Sequence, residues 1–189
     1  MKPHHTERIL FDELSIRRRI TKLAKDIAAA SSSPTLDVIG ILRGSFIFLA
    51  DLIREFHLHH VRTRVDFIVA ESYGAGTESS GQVRLLRDFD LDVRGSEVLL
   101  VDDILDTGRT LAFARDHVRS RGARRVRTCV LLDKPARRVV PIDADHVAFV
   151  CPNEFVVGYG LDYDHWYRDL PWIAAVTFTD APTSSGPTG

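Results

Sequence analysis

The sequence predicts an α/β fold with a mostly parallel central sheet and helices on both faces. Three observations predict it. Strand-like runs (LDVIGI, VRTRVDFIVA, EVLLVD, RVRTCVLLD, HVAFV) alternate with stretches of helical periodicity. The 189 residues, 44% of them apolar, are enough for one domain with a sizeable core. The periodicity fails over only one long internal stretch, residues 73–95.

Ser15 is placed to cap a helix over residues 16–30, with Ile16, Ile20, Leu23, Ala24 and Ile27 on one face. SSSP then breaks it. Leu36–Ile41 reads as a buried strand, and the RGS that follows as the turn into a helix ending near His57. Residues 61–70 alternate Val61, Thr63, Val65, Phe67 and Val69, a strand signature. From Tyr73 to Gly95 the segment opens with YGAGTESSGQ, which holds three glycines, and a long mobile loop is expected. EVLLVD is the next strand. Residues 109–122 form the next helix, with Leu111, Ala114, His117 and Val118 roughly on one side. RVRTCVLLD and HVAFV are further strands. Residues 1–180 are read as a single domain and 181–189, APTSSGPTG, as a disordered tail.

The net charge of −1 provides no overall field for nucleic acid or an anionic membrane. Cys129 and Cys151 form no CxxC or other zinc spacing, so free thiols are expected. No apolar run reaches the roughly 18 residues of a membrane span. MKPHHTERILFDEL lacks the apolar core of a signal peptide. The expectation is a soluble cytoplasmic protein with no nucleic-acid or membrane partner. His57, His59 and His60 read as a helix end and strand start rather than a metal site. The basic runs at 17–19 and 120–127 read as solvated faces or a subunit contact, since no aromatic residues interleave there.

The chemistry concentrates in VLLVDDILDTGRTL, residues 98–111. A buried strand leads into Asp102 and Asp103, then Asp106, then a Thr-Gly turn before the next helix. In parallel sheets, ligands bind at the carboxyl ends of strands, where this segment lies. An aspartate-rich metal-binding helix is a poorer reading, because VLLV makes a strand and Thr-Gly weakens a helix. The loop reading turns the backbone N–H groups of residues 106–110 inward, adds the hydroxyls of Thr107 and Thr110, and places a helix N-terminus behind them. Together these make a phosphate cradle. Asp102 and Asp103 suit sugar hydroxyls or hydrated Mg²⁺ instead.

VLLVDDILDTGRT resembles the phosphoribosyl-diphosphate (PRPP) signature of type I phosphoribosyltransferases. The resemblance covers roughly residues 8–178 and is strongest to the hypoxanthine-guanine enzymes of that family. It implies the type I fold with a small base-binding hood, and a homodimer or homotetramer. GILRGSFIFLADL, residues 40–52, is similar to the family's diphosphate loop, so Arg43 and Gly44 are implied in PRPP binding, often with a cis non-proline peptide. Arg43 stands where many relatives have Lys. ESYGAGTESSG is similar to the mobile catalytic loop, and implies that Ser72 and Tyr73 close over the site to exclude water.

The resemblance also implies the rest of the site. Lys134 would donate to a purine 6-oxo group, Phe155 would stack on the base, and the backbone of Val156 would read its edge. Asp162 would help Asp102 and Asp103 hold Mg²⁺, and Arg168 would contact diphosphate. The 5′-phosphate falls to Asp106, Thr107, Gly108, Arg109 and Thr110, with Asp106 also matching the family's proposed general base. The implied reaction is PRPP plus hypoxanthine or guanine, giving IMP or GMP and diphosphate. An ammonium is donor-only, so Lys134 would favour a 6-oxo over a 6-amino purine. Lys134 and Phe155 do not rank hypoxanthine, guanine and xanthine. The alternative from another class is a non-catalytic regulator that senses PRPP or nucleotides on the same fold.

Overall fold

The computed structural model describes residues 5–72 and 83–178. In chain order these form β1 (His5–Phe11), α1 (Glu13–Ala30), β2 (Thr35–Leu42), α2 (Phe46–Leu58), β3 (Arg62–Ser72), β4 (Val83–Arg87) and β5 (Glu97–Leu105). Then come α3 (Arg109–Ser120), β6 (Arg125–Asp133), a 3₁₀ turn (Pro135–Arg137), β7 (His146–Val150), β8 (Val156–Val157) and β9 (Ile173–Phe178).

The central sheet has the order β4-β3-β2-β5-β6-β7. Five strands run parallel, and β4 joins the edge antiparallel to β3. The pleat sorts side chains onto two faces. Leu36 and Val38 of β2, Leu99 and Val101 of β5, and Cys129 and Leu131 of β6 pack beneath α1 and α2. Ile39, Ile41, Val98, Leu100 and Val130 pack against Leu111, Ala114 and Val118 of α3. Burial on both faces makes such strands read as unbroken apolar runs. The helical stripe of Ile16, Ile20, Leu23, Ala24 and Ile27 is buried as its spacing predicts. Both cysteines are buried and free. Among the described residues, no helix is long and apolar enough to cross a membrane.

A second sheet, β1-β9-β8, forms a hood. The Tyr159 hydroxyl donates to Asp51 of α2 at 2.5 Å and ties the hood segment to the main body.

Several sequence expectations need correction. α1 begins at Glu13 and is capped by Asp12, whose Oδ1 accepts the Ser15 N–H at 2.7 Å. Ser15 is thus the residue served by the cap; Asp12 and Ser15 are both capping types, and the earlier one wins because Glu13 also suits the positive helix end. The N-terminal segment, to which the sequence assigns no element, contains β1, whose partner β9 lies near the far end of the described residues. The stretch read as a loop from 73 to 95 contains β4, a short half-exposed edge strand; residues 73–82 lie outside the described residues, as does the tail from 179. β5 runs on through Leu105, because β6 stays in register with it as far as Asp133. Asp103 therefore sits on the strand with Asp102 rather than after it.

Two arginines from the basic runs are not solvated. Arg127 is 3% exposed and pairs with buried Glu97 at 2.8 Å. Arg19 donates to the carbonyls of Val147 and Ala148 at 2.5 and 2.6 Å, holding β7 to α1.

Candidate active site

A cleft of about 460 Å³ opens at the carboxyl ends of β2 and β5. It brings together Arg43, Gly44, Asp102, Asp103 and the turn from Asp106 to Thr110, all of them site residues that the sequence predicts. A second cleft, of about 490 Å³, lies between α1, α2 and the hood; its acids, such as Asp51 and Glu55, are interspersed with Arg17 and Arg54.

The turn after β2 carries a cis peptide between Leu42 and Arg43. Ser45, fully buried, closes the turn by donating its hydroxyl to the Ile41 carbonyl at 2.5 Å. Arg43 points to Glu71, 3.6 Å away, and both side chains are exposed. Gly44 has no room for a side chain: a Cβ there would lie 1.5 Å from Asp103 Oδ2. The Asp103 carboxylate thus rests directly on the turn. Gly44→Ala is expected to displace it and lower turnover by roughly 100-fold, the scale of a site group misplaced by about 1 Å. Steady-state kinetics on the folded variant check this, and near-wild-type turnover would contradict it.

Asp102 is 4% exposed and accepts the Asp103 N–H at 2.9 Å. Burial pushes its carboxyl well above the usual range, and the neighbouring Asp103 charge adds to the effect. Asp103, partly open to the cleft, is raised as well, mainly by desolvation. The folded chain therefore holds the Asp102 proton more tightly than the unfolded chain. The stability cost of the ionised group is full above the folded value, shrinks as pH falls below it, and vanishes only below the ordinary carboxylate value of the unfolded chain. Asp102→Asn is expected to melt above the wild type at neutral and alkaline pH, with the gap narrowing as pH falls toward the ordinary carboxylate range of about 4, while activity falls. Thermal melts across that range check it; a pH-independent gap would argue against the buried charge as the cause.

The cradle follows. Gly108 takes the left-handed conformation, with φ +86°, and α3 starts at the next residue. The Thr107 hydroxyl accepts the Arg109 N–H at 3.5 Å. The Asp106 side chain is about one-third exposed, with Arg137 Nε 3.3 Å from its Oδ1.

Beside the end of β5, where its backbone N–H donates to the Leu105 carbonyl at 2.9 Å, Lys134 is 5% exposed and donates its ammonium to the Glu154 carbonyl at 2.5 Å. That contact places Lys134 next to Phe155 and Val156. Phe155 is 46% exposed and meets the Tyr163 ring edge-on, with centroids 5.7 Å apart. The Val176 N–H bonds to the Phe155 carbonyl, and Val156 pairs opposite Ala175. Antiparallel pairs alternate, so the N–H and carbonyl of Val156 point away from β9, off the open edge of the hood. Asp162 Oδ1 pairs with Arg168 at 2.7 Å, and its Oδ2 accepts the His165 N–H at 2.9 Å. Arg168 also donates to the Gly160 carbonyl at 2.6 Å. Gly160 abuts the turn at Gly44, since a Cβ there would stand 2.3 Å from the Gly44 carbonyl oxygen. Tyr159, Asp164, His165 and Tyr167 all have positive φ, so unusual backbone clusters around Asp162. Ser72 ends β3, with its side chain outside the described residues; Tyr73 lies outside them entirely.

Of the run KPARR, the sequence singles out only the lysine. Two further residues of that run meet the turn after β5: Arg137 beside Asp106, and Arg138, whose guanidinium reaches the carbonyls of Leu105 and Asp106. The available signal was two arginines just past the end of a strand that neighbours the one carrying the acids.

The chain matches the family model described as "Phosphoribosyl transferase domain" over residues 8–164. It is 42% identical to the hypoxanthine phosphoribosyltransferase of Escherichia coli strain K12 over 178 residues, 93% of this chain and 98% of that one. It is 41% identical to the hypoxanthine-guanine phosphoribosyltransferase of Streptococcus pyogenes serotype M3, over 90% of this chain and 93% of that one. A solved Trypanosoma cruzi hypoxanthine phosphoribosyl transferase superposes with a TM-score of 0.86 at 42% identity, covering 94% of each chain.

Proposed function

The chain belongs to the phosphoribosyl transferase family, and we propose that it serves purine salvage, moving the 5-phosphoribosyl group of PRPP to hypoxanthine or guanine. The products are IMP or GMP and diphosphate. One observation carries this reading: the acids and anion cradle at the end of β5 line one cleft, and Lys134, whose backbone N–H donates to the Leu105 carbonyl at 2.9 Å, carries its ammonium from there to the Glu154 carbonyl beside Phe155 and Val156.

The 5′-phosphate rests against residues 106–110, where α3 presents its positive end. Asp102 and Asp103 take the ribose hydroxyls or their cation. Phe155 stacks on the base and the Val156 backbone reads its edge. Lys134 leaves the Glu154 carbonyl for the 6-oxo group. Asp106 accepts or shares the ring proton as the base becomes a nucleotide. Ser72 and Tyr73 would exclude water.

The residues fit Mg²⁺. Asp102 and Asp103 are hard oxygen donors with raised proton affinity, and such a pair suits a hard cation. Among the described residues, no three His, Cys, Asp or Glu side chains gather as a full metal cage. One or two carboxylates plus substrate oxygens is the usual arrangement for this ion. When bound, Mg²⁺ neutralises the departing diphosphate. Asp162 and Arg168 are held as a pair, the carboxylate for the cation and the guanidinium for the diphosphate. We place the protein in the cytoplasm, as a dimer or tetramer.

The test is an ultraviolet assay with Mg²⁺ and PRPP, offering hypoxanthine, guanine, xanthine and adenine separately. Turnover of the 6-oxopurines with little for adenine is expected. PRPP binding without turnover of any base would favour a regulator, and PRPP-dependent nucleic-acid binding would then be measured.

A further inference from the structure

The segment just after the 3₁₀ turn grips the back of the phosphate cradle. Arg138, whose side chain is 15% exposed, donates from Nη1 to the carbonyls of Leu105 and Asp106 at 3.0 and 2.6 Å. Its Nη2 pairs with Asp133 at the end of β6. The next two residues continue the pattern: the N–H groups of Val139 and Val140 both donate to the Thr107 carbonyl, at 3.0 Å each. Gly108 packs on the same strap, since a Cβ there would meet Ile142 Cγ2 at 2.7 Å, the Val140 carbonyl at 3.0 Å and Arg138 Cδ at 3.2 Å.

Three successive carbonyls, of residues 105, 106 and 107, are thus drawn to one side. In a planar trans peptide the carbonyl of one residue and the N–H of the next point in opposite directions. Fixing those carbonyls therefore turns the N–H groups of Asp106, Thr107 and Gly108 the other way, toward the cleft. Arg138 does not line that cleft, whereas Arg137 does. A guanidinium is well matched to these partners. It is planar and permanently charged, and one fork can serve two carbonyls and a carboxylate.

We infer that Arg138 is a positioning residue, held by Asp133, that sets the polarity of the anion cradle by binding its carbonyls from behind. The inference rests on the proposed role of residues 106–110 as the 5′-phosphate site.

The test compares the affinities of IMP and inosine, which differ only in the phosphate. The readout is the ratio of the two dissociation constants in the wild type, Arg138→Met and Arg138→Lys, with circular dichroism reporting the fold. Arg138→Met is expected to lower the IMP advantage at least about tenfold, the scale of a lost hydrogen bond to a charged group, while inosine affinity holds. Arg138→Lys should fall between. A purely structural role would weaken both ligands together. An unchanged ratio in Arg138→Met overturns the inference. If that variant does not fold, the lysine variant decides: a reduced ratio supports the inference and a wild-type ratio overturns it. A wild type that binds IMP no better than inosine would instead overturn the phosphate site itself.

Discussion

Asp106→Asn is expected to slow the chemical step by about 10²- to 10⁴-fold, the usual contribution of a general acid or base. PRPP affinity should change only a few-fold. The asymmetry follows from the division of labour in the turn. In the proposed site the phosphate is held by main-chain N–H groups, and the carbonyls on the other side of that turn are fixed by Arg138, Val139 and Val140. Asparagine has the same shape as aspartate and leaves that backbone in place. What it lacks is an oxygen able to take the ring proton. Arg137 Nε lies 3.3 Å from Asp106 Oδ1. Single-turnover measurements separate the two quantities. An unaltered single-turnover rate would remove Asp106 from the proton transfer, and a parallel collapse of PRPP affinity would make it a phosphate-site residue instead.

Lys134→Ala is expected to cut kcat/KM for hypoxanthine by about 10- to 100-fold, the range for a hydrogen bond to a charged group. The expected loss for adenine is far smaller, so the ratio between the two bases should narrow. The reason lies in burial. Lys134 is 5% exposed, and its ammonium is already satisfied by the Glu154 carbonyl at 2.5 Å. A 6-oxopurine can replace that acceptor; the 6-amino group of adenine cannot, and would leave buried donors facing each other. Both bases offered to both proteins give four rates. An unchanged hypoxanthine-to-adenine ratio would dissociate Lys134 from base choice.

The parallel core and the cleft were legible because their signals are local. β2, β5 and β6 are buried on both faces and announce themselves as apolar runs. The acids and the Thr-Gly turn stand within nine residues of one another, so their pattern survives without any tertiary knowledge. What failed depends on distant partners. β1 runs as four polar residues and then three apolar ones, with no alternation to mark it, and becomes a strand only because β9 lies against it. β4 is five residues long and half exposed, too short for periodicity to separate it from a glycine-rich loop. Arg127 looks like any surface arginine until Glu97 is found buried beside it. Arg138 was overlooked for a similar reason. Its partners are backbone carbonyls, which carry no side-chain identity for a sequence to display.

The hood has a consequence for how the protein is made. Its central strand, β9, is the last one described, and it is flanked by β1, the first, and by β8. During synthesis the phosphate turn and the sheet beneath it leave the ribosome well before β9 does, and domains assemble as their parts emerge. Closing β1 onto β9 also spans nearly the whole chain, a contact of the slow, non-local kind. In the proposed site, a nascent chain can therefore complete its phosphate cradle and display Lys134 before β9 pairs with the strand that carries Val156. Base stacking and edge reading are then the last properties it is expected to acquire, and a C-terminal truncation that removes β9 should take them away first.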